Sequence, residues 1–152
     1  MRESADKALN AEHYAKLERM YLTAPINAFY SPRISISHGE AVITIPVKTE
    51  FFHAADAVHG SVYVKLLDDA AFFSVNSLIE DYFALTASFT TYLLRPISQG
   101  TMMATGKVVY AGARSFIAES VVVDAEGNEI ARGSGNFVMS KIKLTADMGY
   151  RV

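Results

Sequence analysis

Apolar residues recur at helical spacing over residues 5–22, where Leu9, Tyr14, Leu17, Met20 and Tyr21 are interleaved with Lys7, Glu12, Lys16, Glu18 and Arg19. This pattern predicts an amphipathic helix. Pro25 and Pro32 punctuate the segment that follows. Ile34-Ser35-Ile36-Ser37 alternates as a strand does, His38-Gly39-Glu40 supplies a turn, and Ala41 to Val47 reads as the returning strand. Residues 48–58 form an irregular connection. From Gly60 to Glu80 the chain is apolar on nearly every side, with Val62, Val64, Leu66, Leu67, Ala70, Ala71, Phe72, Phe73, Val75, Leu78 and Ile79. A helix of that character is wrapped by other structure rather than laid on a surface. Strand-like runs follow at 85–94, 101–111, 115–124 and 129–139, and the breaks between them carry turn residues: Arg95-Pro96, Gly112, and Asp124-Ala125-Glu126-Gly127-Asn128. Hairpin-length links imply a mostly antiparallel sheet around one long central helix, an α+β fold with an N-terminal helix.

The 152 residues suit one domain, which can bury roughly 70% of its unfolded surface and so needs no covalent staples. Residues 1–32 read as a helical extension, 33–140 as the main domain and 141–152 as a tail. The absence of Cys excludes disulfides, thiolate metal sites and a Cys nucleophile, and fits a reducing compartment. A net charge of −2 argues against nucleic acid or an anionic membrane as partner. The start, Met1-Arg2-Glu3-Ser4-Ala5-Asp6-Lys7, lacks the apolar stretch of a signal peptide, and no run approaches the ~20 apolar residues of a membrane span. The expectation is a cytoplasmic protein.

Chemistry concentrates between His53 and Ala71. The long helix begins at Gly60, where free N–H groups and the positive end of the dipole meet a loop. Such an end can hold a developing oxyanion. Asp68 and Asp69 fall in the middle of the apolar helix. A carboxylate desolvated there has a raised pKa, as a general base near neutral pH requires.

This stretch resembles the hotdog-fold acyl-CoA thioesterases of the PaaI-type branch, a group within the 4-hydroxybenzoyl-CoA thioesterase-like superfamily. The matching features are His59-Gly60 at the helix start, Asp68 nine residues after the His, and the small residues Ala70 and Ala71 beyond it. Leu85 to Pro96 resembles the family's first strand after the helix with its Arg-Pro end, and Ala131-Arg132-Gly133 its last strand; the likeness covers most of residues 34–140. The resemblance implies a hotdog thioesterase domain that hydrolyses an acyl-CoA or related acyl thioester to free acid and CoA. It places the thioester carbonyl on the Gly60 N–H, makes Asp68 general base or nucleophile, and gives Thr86 a role in placing water. It implies no cofactor beyond the CoA carried by the substrate. His53 stands where the family often has Asn, and Ser61 where it has a second Gly. Arg114-Ser115, in the turn after Gly112, aligns with a CoA-contacting turn, and an Arg suits phosphate; an exposed hairpin Arg is the other reading.

Gly60 and Asp68 are eight residues apart on one helix, so their backbones lie roughly 12 Å apart. A reacting carbonyl needs each group within about 3 Å. If both act on one thioester, the Asp comes from a second subunit whose helix runs antiparallel. The enzyme reading therefore predicts composite sites in a homodimer or a dimer of dimers.

Other readings run alongside. Asp68 could simply pair with Lys65, although Asp69, a full turn after Lys65, is better placed for that ion pair. His53, Asp56 and His59 invite a metal, but their spacing matches no usual ligand pattern, so no metal is expected; His59 instead orders the helix entrance. His13 and His38 are expected at the surface. Gly133-Ser134-Gly135 has no helix after it and is no phosphate loop; it reads as a bulge or as a strand passing close to the buried helix. Tyr14, Met20, Tyr21, Phe29 and Tyr30 line an acyl pocket or belong to plain core. A related hydratase or dehydratase of 3-hydroxyacyl thioesters, using His53 and Asp56, and a non-catalytic acyl-CoA binder are the competing functions.

Overall fold

The computed structural model describes residues 2–152, with side chains from Asn10 onward, so the Leu9 side chain lies outside the described residues. Helix α1 spans Arg2–Thr23. Its inner face contributes Leu17, Met20 and Tyr21 to the core, and Glu12 and Lys16 pair on its outer face at 2.8 Å. Glu18 accepts the Ile36 N–H at 2.9 Å and pins α1 to the first strand. A short 3-10 turn, Pro25–Phe29, follows with Pro at its start.

Six strands form one antiparallel sheet: β1 Arg33–Ser37, β2 Glu40–Pro46, β3 Tyr82–Leu93, β4 Thr101–Ala111, β5 Ser115–Val123 and β6 Glu129–Lys143. Their order across the sheet is β1-β2-β4-β5-β6-β3, which leaves β3 at an edge although it is the strand that follows the central helix. The irregular connection contains one short 3-10 turn, Thr49–Phe51.

The central helix, α2, spans Gly60–Asn76 and packs against β2 to β6. Leu66, Leu67 and Val75 meet Ile43, Ile45, Met102, Val122, Ile130 and Phe137 in one dry core. The expected helix-in-sheet arrangement is therefore present. α2 ends a turn earlier than Glu80 because Asn76 ends it. The buried Asn76 amide donates to the carbonyls of Ile79 and Tyr82, both at 3.1 Å, and accepts the Ala84 N–H at 2.9 Å, which reverses the chain into β3. Ile79 is still buried, so the apolar pattern continued past the true end.

Glycine sets the closest approach of sheet and helix. A Cβ on Gly106 of β4 would lie 2.2 Å from the Ala70 carbonyl atoms of α2. The Gly133-Ser134-Gly135 segment does a different job from either expected one. It is regular strand, and the space over both glycines is filled by the Phe89 ring of β3, not by the helix. The bulge lies instead on β3, between Thr86 and Ser88.

His13 is 4% exposed, a correction to its expected surface position. Its Nε2 donates to the Asn76 carbonyl at 2.9 Å, and its Nδ1 accepts from the Tyr150 hydroxyl at 2.6 Å, so it fastens α1 and the C-terminal tail to the end of α2. His38 is exposed, as expected. No helix among the described residues is long and apolar enough to cross a membrane.

Candidate active site

The start of α2 is built by His59. Its backbone is extended, and its ring Nδ1 accepts the Ser61 N–H at 3.0 Å and the Ser61 hydroxyl at 2.8 Å. The imidazole caps the helix as an Asn or Ser side chain does at other helices. The His59 carbonyl takes the Val62 N–H. No acceptor among the described residues takes the Gly60 N–H. Gly60 lines a cleft of about 260 Å³ together with His53, Val58, Tyr63 and residues 93–96. A Cβ on Gly60 would stand 2.9 Å from Leu93, so the glycine also lets β3 close on the helix start.

His53 opens a tight loop that Phe52 and Val58 close by a bridge. Its Nδ1 accepts the Ala55 N–H at 3.0 Å, and Asp56 holds the left-handed conformation at φ 59. The rings of His53 and His59 lie 6.4 Å apart. No group of three His, Asp or Glu side chains among the described residues is arranged to hold a metal.

Asp68 and Thr86 come together across α2 and β3: the Thr86 hydroxyl donates to Asp68 Oδ1 at 2.9 Å. The β3 bulge directly after Thr86 gives the strand its local turn, a device that re-aims side chains beside functional sites. Burial raises the Asp68 carboxyl above its ordinary range; the Thr86 hydrogen bond opposes this, neighbouring Asp69 adds to it, and Lys65 offsets part. Asp69 is the structural partner: it takes the Lys65 ammonium at 2.6 Å and the Tyr21 hydroxyl at 2.9 Å. Lys65 also lies over the Tyr21 and Tyr30 rings. Burial, with Asp69 beside it, pushes the Tyr21 phenol far up, so it stays a donor.

Asp68 and Thr86 open into a second cleft, of about 290 Å³, whose walls are largely apolar. Of the residues weighed for an acyl pocket, Met20 and Tyr21 line this cleft. Phe29 and Tyr30 instead stack with Phe51, and Tyr14 packs beside His13. Sequence reasoning missed Ile26, Asn27, Phe83 and Leu85 in this cleft. The Pro25–Phe29 turn after α1 was the signal for the first two.

The hairpin residues lie elsewhere. The Gly112 N–H bonds the Ser115 carbonyl, Ser115 Oγ bonds Asn136, and the Arg114 carbonyl takes the Met139 N–H. Met139 pairs with Ala84, so Arg114 sits level with the C-terminal end of α2, away from Gly60 in the same chain. Arg95 is the arginine that lines the Gly60 cleft. Within one chain, then, Gly60 with His53 and Asp68 with Thr86 occupy separate clefts.

Comparison with known proteins bears on the family and the fold. The family described as Thioesterase superfamily matches residues 56–131, half of the chain, which includes Gly60, Asp68, Thr86 and Arg114. A protein of Saccharolobus solfataricus named as an esterase is 27% identical over 116 residues, spanning 74% of this chain and 81% of its own. The PaaI protein of E. coli, from the phenylacetic acid degradation operon, superimposes with a TM-score of 0.82 at 22% identity, covering 90% of this chain and 99% of that one. A thioesterase family protein of Silicibacter pomeroyi gives a TM-score of 0.75 at 22% identity, covering 83% of this chain and 97% of that one. The chain belongs to the Thioesterase superfamily, thioester hydrolases, and has their hotdog fold.

Proposed function

We propose that the protein hydrolyses an acyl-CoA, or a related acyl thioester, to the free acid and CoA at sites shared between two subunits. The observation that carries this reading is the Asp68–Thr86 pair: a carboxyl raised by burial, held by a hydroxyl, at the mouth of an apolar cleft. Its complement is the free Gly60 N–H at the start of α2.

The sheet edge supports the sharing. Gly60 lies against Leu93 and Asp68 against Thr86, so both halves of the site flank β3. The outer edge of β3 has no neighbour in the sheet, and Leu85, Tyr92 and Leu93 are exposed along it. Antiparallel pairing of two copies about a two-fold axis at Thr90 sets Leu93 of one strand opposite the bulge that follows Thr86 of the other. The partner's Asp68 then faces Gly60.

In the reaction, the Gly60 N–H polarises the thioester carbonyl. The partner's Asp68 takes a proton from water, and the partner's Thr86 hydroxyl, which donates a hydrogen bond to that carboxylate, accepts one from the same water. The hydroxide adds to the carbonyl carbon. Collapse of the tetrahedral oxyanion breaks the C–S bond and releases the CoA thiolate, which takes the proton that the partner's Asp68 drew from water and so restores the carboxylate. Arg95 beside the Gly60 cleft and Arg114 with Ser115 and Gly112 at the hairpin are the candidates for CoA phosphate. Only water and the substrate are required, which suits a cytoplasmic protein without cysteine.

The test is thiol release from a panel of acyl-CoAs. We expect turnover, and a loss of at least about 100-fold in Asp68→Asn. Full activity in that variant refutes the mechanism, and tight binding without turnover in the wild type makes the protein a binder.

A further inference from the structure

The cleft beside Asp68 abuts a second, larger chamber. That chamber, of about 630 Å³, lies between the last turn of α1 and the C-terminal tail, where Thr23, Pro25, residues 146–149 and Arg151 line it. Met20, Ala24 and Phe83 line both spaces, so they form the partition between them. Ala24 contributes only a methyl group, which leaves the Met20 and Phe83 side chains to block the way. Met20 and the tail lie outside residues 56–131, the stretch that matches the family, so the chamber is built by other parts of this chain.

The partition is held on both sides. A Cβ on Gly149 of the tail, where φ is 90, would stand 2.4 Å from the Thr23 hydroxyl oxygen and 3.1 Å from Met20 Cα. The tail backbone thus lies directly on α1 at Met20, and the bond from the Tyr150 hydroxyl to His13 fastens the next residue. Across the cleft, the Phe83 ring packs against Phe72 at 5.0 Å, and the Phe83 carbonyl takes the Ser140 hydroxyl. Met20 is an adaptable filler, so Phe83 is the stiffer half of the wall.

The wall stands at a definite distance from the candidate base. Phe83 precedes Thr86 by three residues on β3, a separation of about 10 Å. Thr86 holds Asp68, where the thioester carbonyl would react. An extended acyl chain of about eight carbons covers that distance.

We propose that Met20 and Phe83 set the upper limit on acyl length: a chain that enters beside Asp68 stops against them, short of the chamber under the tail. The preferred substrates are acyl thioesters of up to about eight carbons. This inference rests on the thioesterase reading above and extends it to the size of the acyl group.

The experiment measures kcat/KM for straight-chain acyl-CoAs from butanoyl to tetradecanoyl. We expect the wild type to favour octanoyl-CoA over dodecanoyl-CoA by about tenfold or more, since methylenes beyond an end wall find no room. In Phe83→Ala the cleft opens into the chamber, and this ratio falls by about tenfold through a gain on dodecanoyl-CoA. Ala146 is exposed and lines the chamber, so Ala146→Trp added to Phe83→Ala refills the space. The ratio then returns towards the wild-type value while octanoyl-CoA turnover is kept. A ratio that stays low in the double variant overturns the proposal, because the gain then does not come from the chamber. A merely structural role for Phe83 lowers turnover of every length together and leaves the ratio unchanged, which overturns it too. So does a wild-type profile that stays level beyond octanoyl-CoA, whether or not the variants fold. That level profile sinks only this inference; turnover of no acyl-CoA sinks the thioesterase reading and this inference with it.

Discussion

The Thr86 hydroxyl donates to Asp68 Oδ1 at 2.9 Å, joining the edge strand to the middle of the buried helix. This bond favours the ionised carboxylate, against the burial that disfavours it. A general base works only when ionised, so activity rises as pH passes the Asp68 pKa. Removing the bond in Thr86→Val lets the pKa climb further, and the acid limb of the kcat/KM profile moves to higher pH. The plateau falls by about tenfold, because the carboxylate and the attacking water lose a positioning group. A pH–rate profile of both proteins checks this; an unmoved acid limb separates Thr86 from the base.

The same burial has a consequence for stability. The Asp68 pKa is higher in the folded chain than the ordinary 3.8, so folding favours its protonated form. Its contribution is fully present below pH 3.8 and is lost as pH rises through the folded value. Asp68→Asn removes the ionisation while keeping an oxygen for Thr86. We expect the variant to melt higher than wild type at pH 7.5, with the difference shrinking steadily towards pH 4. A melting difference independent of pH contradicts the buried, raised carboxyl.

Much of this architecture was legible in the pattern of residues, for reasons specific to each element. The all-apolar face of α2 announced a wrapped helix, and Asp68 was conspicuous because it interrupted that face. Asp69 and Lys65 followed from their spacing of one helical turn. Other features depend on contacts that local pattern does not encode. His13 is buried through partners at Asn76 and Tyr150, far along the chain, so its neighbours on α1 gave no hint. The Phe89 ring over Gly133 and Gly135 is a cross-strand relation. Asn27 in the Asp68 cleft arises from how the turn after α1 folds back onto α2.

Gly106 is the position where the sheet touches the helix backbone. An added methyl would overlap the Ala70 carbonyl group at 2.2 Å, and neither backbone has a side chain that can move aside. Gly106→Ala is therefore expected to destabilise the fold by at least about 3 kcal/mol, the upper end of overpacking costs. Chemical denaturation measures this directly. The same substitution at Gly127, in an open turn with φ 84, meets no atom within 4 Å and strains only the local backbone. It is expected to cost about 1–2 kcal/mol.

The shared-site arrangement makes a register prediction for β3. With the two-fold axis at Thr90, Ser88 of one strand lies opposite Tyr92 of the other. Opposed residues in an antiparallel pair have Cα atoms about 4.5–5.5 Å apart, within the range a disulfide spans. The chain contains no cysteine, so introduced thiols have no competitors. Ser88→Cys combined with Tyr92→Cys should yield a covalent dimer on mild oxidation, seen as a doubled mass on non-reducing electrophoresis. Either substitution alone should leave monomer-sized bands, since each thiol then faces a residue that cannot bond it. The oxidised dimer should retain thioester turnover, because the cross-link holds the partner's Asp68 against Gly60 rather than displacing it. A protein that stays monomeric in solution and cleaves thioesters removes the need for a second subunit. Cross-linking in a shifted register moves the partner's Asp68 away from Gly60 by about 3.3 Å for each residue of slip, and is incompatible with one carbonyl serving both groups.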